Sequence, residues 1–440
     1  MRATVLILTA VAVVFAAIVL WEPGAITGGR DDEKSGAVRF LSLAWQEQAL
    51  VANREIVARW NAQHPDRPVE YVQGTWNSAY DYLVTGFETG DVPDVFHFES
   101  SVIVDFARRG YLEDLAPMVP GSMRDDIYDV AWETVRQPDG SVAGIPFLVE
   151  SLVILYNAAL LEKAGIVPPS AEHPWTWADM RRAAIRLTRD TDGDGSVDHW
   201  GVGIGLRNAA NIVLNLSIGY GGGFFRKEGG TYTVVVGEGE RELLKTIHDL
   251  LYVDRSAAPS SPGQSGPGMI PGFLAGKYAM LVGIGAWARQ QVVENAPEGF
   301  RWAVMPPLIA QTQQCATNCQ TLSIPRLSKR KRDAMEFILF MLNQENSARL
   351  AQSDWMIPAR RSCSLLPEFR TPVGGWDVTM DGVRFLSAGP WIGAPGYVEW
   401  KSRVVNPVLQ ELFANRMTVD EAAMRIERES NIVLSRYHYE

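Results

Sequence analysis

From residue 38 onward the apolar positions switch between two periods, and the switching outlines an alternating fold. Val38 to Leu43 (VRFLSL) has the near-alternation of a half-buried strand. Gln48 to Ala62 follows, with Ala, Ile, Val and Trp recurring at three- and four-residue steps, which predicts an amphipathic helix. His64-Pro65 stops it. Val69 to Gln73 predicts a second strand and Ser78 to Glu88 a second helix that ends before Gly90. Pro93 to Phe98 (PDVFHF) predicts a third strand, then Ser101 to Arg109 a helix ending at Gly110. Strand–helix repeats of this kind imply a parallel sheet with helices on both faces.

Leu148 to Tyr156 (LVESLVILY) predicts one long strand, its character broken near the start by Glu150 and Ser151. Thr176 with Asp179 forms a capping box, so a helix should run from there to about Leu187; Thr418 with Glu421 predicts another such start for Asp420 to Leu434. Further helices are expected at Glu240–Tyr252, Arg332–Leu342, Asn346–Gln352 and Val404–Phe413. Short strands are expected at Ala279–Gly283 and Trp302–Met305.

One segment does not fit a globular body. Ala3 to Trp21 is apolar apart from threonine and would span roughly 28 Å as a helix, enough for a bilayer core. Arg2 precedes it, so the positive-inside bias directs the rest of the chain outward. An uncleaved membrane anchor is the expectation, with a cleaved signal peptide as the alternative. No cysteine follows the run to carry a lipid.

Composition narrows the function. A net charge of −10 and a pI near 5.3 argue against nucleic-acid binding, which needs a basic footprint. The 3 cysteines, Cys315, Cys319 and Cys363, leave one thiol unpaired in a monomer; Cys315–Cys319 is one candidate disulfide and Cys363 could pair with either. Asp190, Asp192, Asp194 and Asp198 stand at relative positions 1, 3, 5 and 9 of a loop with Gly195 at 6, a spacing that can gather oxygens on Ca²⁺. Gly201 occupies position 12, where a calcium hand needs its glutamate. A structural Ca²⁺ loop and a metal-free turn both stay open, and no other cofactor is implied.

Catalytic groupings are scarce. The histidines are scattered, there is no HExxH and no G-x-S-x-G, so an enzyme is not expected. Tryptophan is more telling. Several of the 14 flank Gly, Asn, Gln or Asp in loops: Trp45-Gln46, Trp76-Asn77, Trp287 after Gly285, and Trp376-Asp377; Tyr220 lies similarly between glycines. An aromatic face covers the C–H face of a sugar ring while amides and carboxylates take its hydroxyls.

The motif series resembles the extracytoplasmic carbohydrate-binding proteins of ABC importers, the maltose-binding-protein-like solute-binding family. The matching residues are Gly90-Asp-Val-Pro93-Asp94-Val95, Gly110-Tyr-Leu112-Glu-Asp-Leu115, Gly144-Ile-Pro146, Leu155-Tyr156-Asn157, Leu160 to Gly165, Trp175-Thr176-Trp177, Phe273 to Met280 and Ile324-Pro325. The resemblance implies an α/β fold of two lobes joined by crossing hinge strands, with a ligand cleft between them. It implies an anchor and spacer at 1–35, one lobe from 38–148 plus 300–360, the other from 157–295, and a segment 361–440 bracing the hinge and completing the cleft. The implied function is capture of a mono- or oligosaccharide, including an amino sugar, by a monomer that delivers it to permease subunits; a glycerol-phosphate-type solute is the alternative, followed by a carbohydrate-processing lyase or hydrolase. Trp45, Gln46, Asn77, Glu99 and Glu150 are expected on one cleft wall, and Tyr220, Trp287, Trp376 and Asp377 on the other. Cys315 to Cys319 stands where the family usually has a Gly-rich segment.

Overall fold

The computed structural model describes residues 36–437, so the Ala3–Trp21 run lies outside the described residues. Among the described residues no helix is long and apolar enough to cross a membrane. Two sheets carry the architecture. The first holds β1 (Val38–Ser42), β2 (Val69–Gln73), β3 (Val95–Glu99) and β4 (Ile145–Val149). The second holds β5 (Leu152–Asn157) and β6 (Trp200–Ile204). A hairpin, β7 (Phe225–Glu228) with β8 (Thr231–Val234), stands apart, and β9 (Tyr278–Gly285) and β10 (Trp302–Met305) complete the second sheet. β11 (Cys315–Thr317) precedes β12 (Cys319–Ser323) and β13 (Ile357–Pro358), both in the first sheet, and β14 (Leu386–Ala388) pairs with β11.

The strand orders are β13-β4-β12-β3-β1-β2 and β10-β5-β9-β6. β1 lies parallel to β2 and to β3, as strand–helix alternation requires. β12 enters between β3 and β4 antiparallel to both, so the sheet is mixed rather than parallel. Val38, Phe40 and Leu41 are buried, because helices cover both faces of a central strand and leave it no polar side.

The stretch 148–156 is two strands, not one. β4 and β5 belong to different sheets, and Glu150 and Ser151 are the step between them. The chain crosses back between β10 and β12, and again around β14. The crossings are tied together: Glu150 N–H donates to Asn318 O at 2.9 Å, and Thr317 Oγ1 donates to Glu150 O at 2.5 Å.

Two expected boundaries shift. A first lobe resuming at 300 would include β10, but β10 pairs antiparallel with β5, so the return to the first sheet comes only with β12. Nor does 361–440 act as one brace. Phe369, Trp376, Met380 and Val383 join the first core, whereas the helices Asn406–Phe413 and Val419–Ser435 pack into the second beside the helix Glu238–Tyr252. Their apolar stripes, among them Val408, Leu412, Ile426 and Val433, are buried there.

Candidate functional site

A cleft of about 310 Å³ opens between the two sheets. Its walls come from the C-terminal ends of strands, where an open α/β sheet presents loops and helix starts. Trp45 follows β1, Trp76 follows β2 and Glu99 ends β3; Gly205 to Asn208 follow β6, and Gly283 to Trp287 close β9. Glu150 and Ser151 contribute from the first crossing, and Asn318 and Gln320 from the second.

Three indoles set the apolar surface. Trp45 is 45% exposed and meets Trp287 edge-to-face across the cleft, with ring centroids 5.4 Å apart. Trp76 packs its edge on His97 and Phe98, at 5.5 and 5.7 Å. That packing fixes the ring while leaving part of it facing the cleft.

The polar surface is dominated by acceptors. Asn318 Nδ2 lies 3.4 Å from Glu99 Oε2. Burial and then the charge of Glu99 push the Glu150 carboxyl up to about 7, and Lys401 pulls against them. Burial pushes the Tyr397 hydroxyl well up, helped by the charges of Glu99 and Glu150. Beneath them, burial holds His97 neutral, its pKa lowered to about 3. On the facing wall Asn211 and Asn215 project from the helix Ala210–Ser217, with Arg207 and Asn208 just before it.

Of the residues expected at the site, Trp45, Glu99, Glu150 and Trp287 are brought together in the cleft. Gln46 is beside them but turned inward, its amide donating to Asp354 Oδ1 at 2.9 Å and to Asp354 O at 3.1 Å. Asn77 is exposed outside the lining, and its neighbour Trp76 takes that place.

Tyr220, Trp376 and Asp377 do not reach the cleft. Tyr220 is 2% exposed in the second core against Trp177. The glycines around it serve backbone packing instead: buried Glu240 accepts from Gly223 N and Phe224 N at 2.8 and 2.9 Å, and a Cβ on Gly219 would lie 2.8 Å from Gln314 O. Trp376 stacks on Trp355 at 5.3 Å within the first core, and Asp377 Oδ1 accepts from Val378 N. Gly375 admits the Val304 side chain where a Cβ would meet it at 2.1 Å, so that pair of glycines also marks close packing.

Arg289 ties this region together. It is fully buried, and burial lowers its pKa to about 9. Its guanidinium donates to Ala286 O at 2.9 Å, Gly374 O at 3.1 Å and Trp355 O at 2.8 Å, and lies 4.3 Å from the Trp376 ring centroid.

The proposed disulfide does not form; all three cysteines are free and buried. Cys315 begins β11 and Cys319 begins β12, and four extended residues span roughly 13 Å, beyond the reach of a disulfide. Asp190, Asp192 and Asp194 bring oxygens within 4.8 Å of one another. Asp190 accepts from Gly193 N and Gly195 N, so the loop's own backbone already engages it, and Asp198 instead takes Thr191 N at 2.7 Å.

Asn211 and Asn215 carried a legible signal, since their four-residue spacing puts them on one helical face. Gln320 carried none: it comes from a distant segment that only the second crossing brings to the cleft.

Comparison with known proteins agrees with this architecture. The family model described as bacterial extracellular solute-binding protein matches residues 46–348. A Streptomyces antibioticus protein, named as an uncharacterized lipoprotein in the oleD 5′ region, is 39% identical over 385 residues, covering 87% of this chain and 83% of its own length. Among solved structures, the sugar-binding protein MalE of Xanthomonas citri superposes with a TM-score of 0.79 at 20% identity, covering 92% of this chain and 98% of that one. The ABC substrate-binding protein of Listeria monocytogenes solved with cycloalternan gives 0.77 at 21% identity, covering 91% and 99%.

Proposed function

The chain belongs to the bacterial extracellular solute-binding proteins, and from that premise we propose that it is the carbohydrate receptor of an ABC importer. The observation that carries this reading is the cleft itself: Trp45, Trp76 and Trp287 supply ring-sized apolar faces, and Glu99, Glu150, Asn211, Asn215 and Asn318 surround them with hydrogen-bonding groups. A pyranose needs both surfaces at once. The cycloalternan held by the Listeria relative supports the same ligand class.

Capture proceeds by approach of the two sheets about the paired crossings, which expels water and lets both walls contact the solute. The closed form is then the one a membrane permease recognises. No step in this cycle breaks a bond, so the protein acts as a receptor and releases its ligand unchanged. We place it on the outer face of the cytoplasmic membrane, tethered through Ala3–Trp21, and the lipoprotein name of its relative supports membrane attachment. A glycerol-phosphate-type solute fits less well. Arg207 could take a phosphate, but Glu99 and Glu150 face the same space.

Thermal denaturation against a library of mono- and oligosaccharides and sugar phosphates tests the reading. A ligand at a hundredfold excess over its Kd stabilises the folded state by about 2.7 kcal/mol, which reads as a clear rise in Tm. A rise with saccharides, and their recovery intact after incubation, is expected. A rise with sugar phosphates alone, or hydrolysed products, overturns it.

A further inference from the structure

Buried oxygens without a partner collect in the cleft. Ser151 Oγ, Asn215 Oδ1 and Gln320 Oε1 are buried without a hydrogen bond, and all three residues line the cleft. Gln320 is 6% exposed, and its amide nitrogen lies 3.3 Å from the Met356 sulfur. Glu99 and Glu150 stand on the same lining. The Ser151 hydroxyl can act either way, but the two amide oxygens and the two carboxylates make this side of the cleft rich in acceptors, so a solute that supplies donors is favoured there.

Charge sharpens that requirement. Glu150 is faced by Glu99, Asp354 and the Gln320 amide from the first sheet and its flank, and by Tyr397 and Lys401 from the C-terminal segment. Arg207 is exposed on the opposite wall. Asp354 is already engaged by Gln46. A hydroxyl-only solute either leaves Glu150 protonated or confines two carboxylates together with the solvent removed, an arrangement that like charges resist. A protonated amine offers only donors, compensates the charge, and makes bonds roughly twice as strong as neutral ones.

Resting on the reading of this cleft as a saccharide site, we propose that the solute carries a basic nitrogen held as an ammonium between Glu99 and Glu150: an amino sugar, or an oligosaccharide that contains one. The burial that raises Glu150 toward neutral keeps the empty site from carrying both charges. The arriving cation displaces that proton to solvent, so binding of the amine is linked to pH, while binding of its N-acetylated form is not.

Titration calorimetry with glucosamine, galactosamine, mannosamine and the β-1,4-linked glucosamine dimer to tetramer, each against its N-acetylated form, tests the proposal on the full chain in detergent. At least one free amine is expected to bind tenfold or more tighter than its N-acetylated partner. Its affinity is expected to rise about fivefold from pH 5.5 to 6.5, as Glu150 releases its proton, with no such rise for the acetylated partner. Glu150→Gln and Glu99→Gln, checked as folded by their melting temperatures, are each expected to collapse the preference. If N-acetylated or other neutral saccharides bind and the amines bind no better, the ammonium site is overturned and the saccharide receptor stands. If no saccharide of either kind binds while sugar phosphates do, both fall.

Discussion

Trp45 and Trp376 show how differently two tryptophans beside polar residues can be used. Trp45 keeps 45% of its surface and touches Trp287 across the cleft, whereas Trp376 is 6% exposed beneath Trp355 and Arg289. Trp45→Ala is expected to weaken saccharide binding by about 1–3 kcal/mol in titration calorimetry with the Tm little changed. Trp376→Ala is expected to do the reverse, lowering stability by about 3–5 kcal/mol in denaturant titrations. Glu150 gives a residue-scale prediction in pH. Its folded pKa lies at about 7, above the unfolded 4.5, so its favourable contribution is full below 4.5 and is lost as pH rises through 7. Glu150→Gln, which mimics the protonated form, should therefore raise the ligand-free Tm at pH 8 relative to wild type, with a smaller gain at pH 5. An equal change at both would show that this carboxyl does not titrate near neutrality.

The elements carry their own lesson about legibility. Capping boxes at Thr176 and Thr418 and the stop at Gly90 are local chemistry, so the helices Trp177–Leu187, Val419–Ser435 and Ala79–Thr89 appear within a residue or two of where the pattern puts them. The β1–β3 strands were legible for the same reason. The place of β12 was not, because its partners β3 and β4 lie some two hundred residues earlier and leave no periodic trace. The same holds for the site. Glu99 could be found from its place at the end of an apolar strand, but Asn318 and Gln320 arrive through the second crossing. Gly219 to Gly223 misled because glycine marks close backbone approach without saying what approaches. The helix Ala210–Ser217 yields a test of its own: Asn211→Ala and Asn215→Ala, on one face, are each expected to cost about 1–2 kcal/mol of ligand affinity with little change in Tm. Unaltered affinity in both would remove that helix from the binding wall.

At the scale of the molecule, lobe movement has to be reconciled with contacts that span the sheets. Gln48 donates to Glu294 at 2.9 Å, and Arg289 reaches from the helix Ala288–Asn295 to the carbonyls of Trp355 and Gly374. The first contact is exposed and easily exchanged for water; the second is buried, and no carboxylate ion-pairs with Arg289 among the described residues. Arg289 is therefore expected to act as a pin between the two halves while the cleft side opens. Arg289→Met is expected to lower stability by about 3–5 kcal/mol, since it strands buried carbonyls. It should also increase the ligand-free radius of gyration in small-angle scattering; an unchanged radius would place the pivot elsewhere.

The late insertion of β12 also sets a timetable for the newborn chain. β3 and β4 are made long before the strand that joins them, and at typical elongation rates residue 323 follows residue 149 by on the order of ten to thirty seconds. Until then the first sheet has two unzipped inner edges, each an invitation to pair with another chain. A nascent protein of this design gains from being kept unstructured until its last third is available, and a ribosome that stalls before Cys319 releases a product prone to clump rather than a smaller receptor.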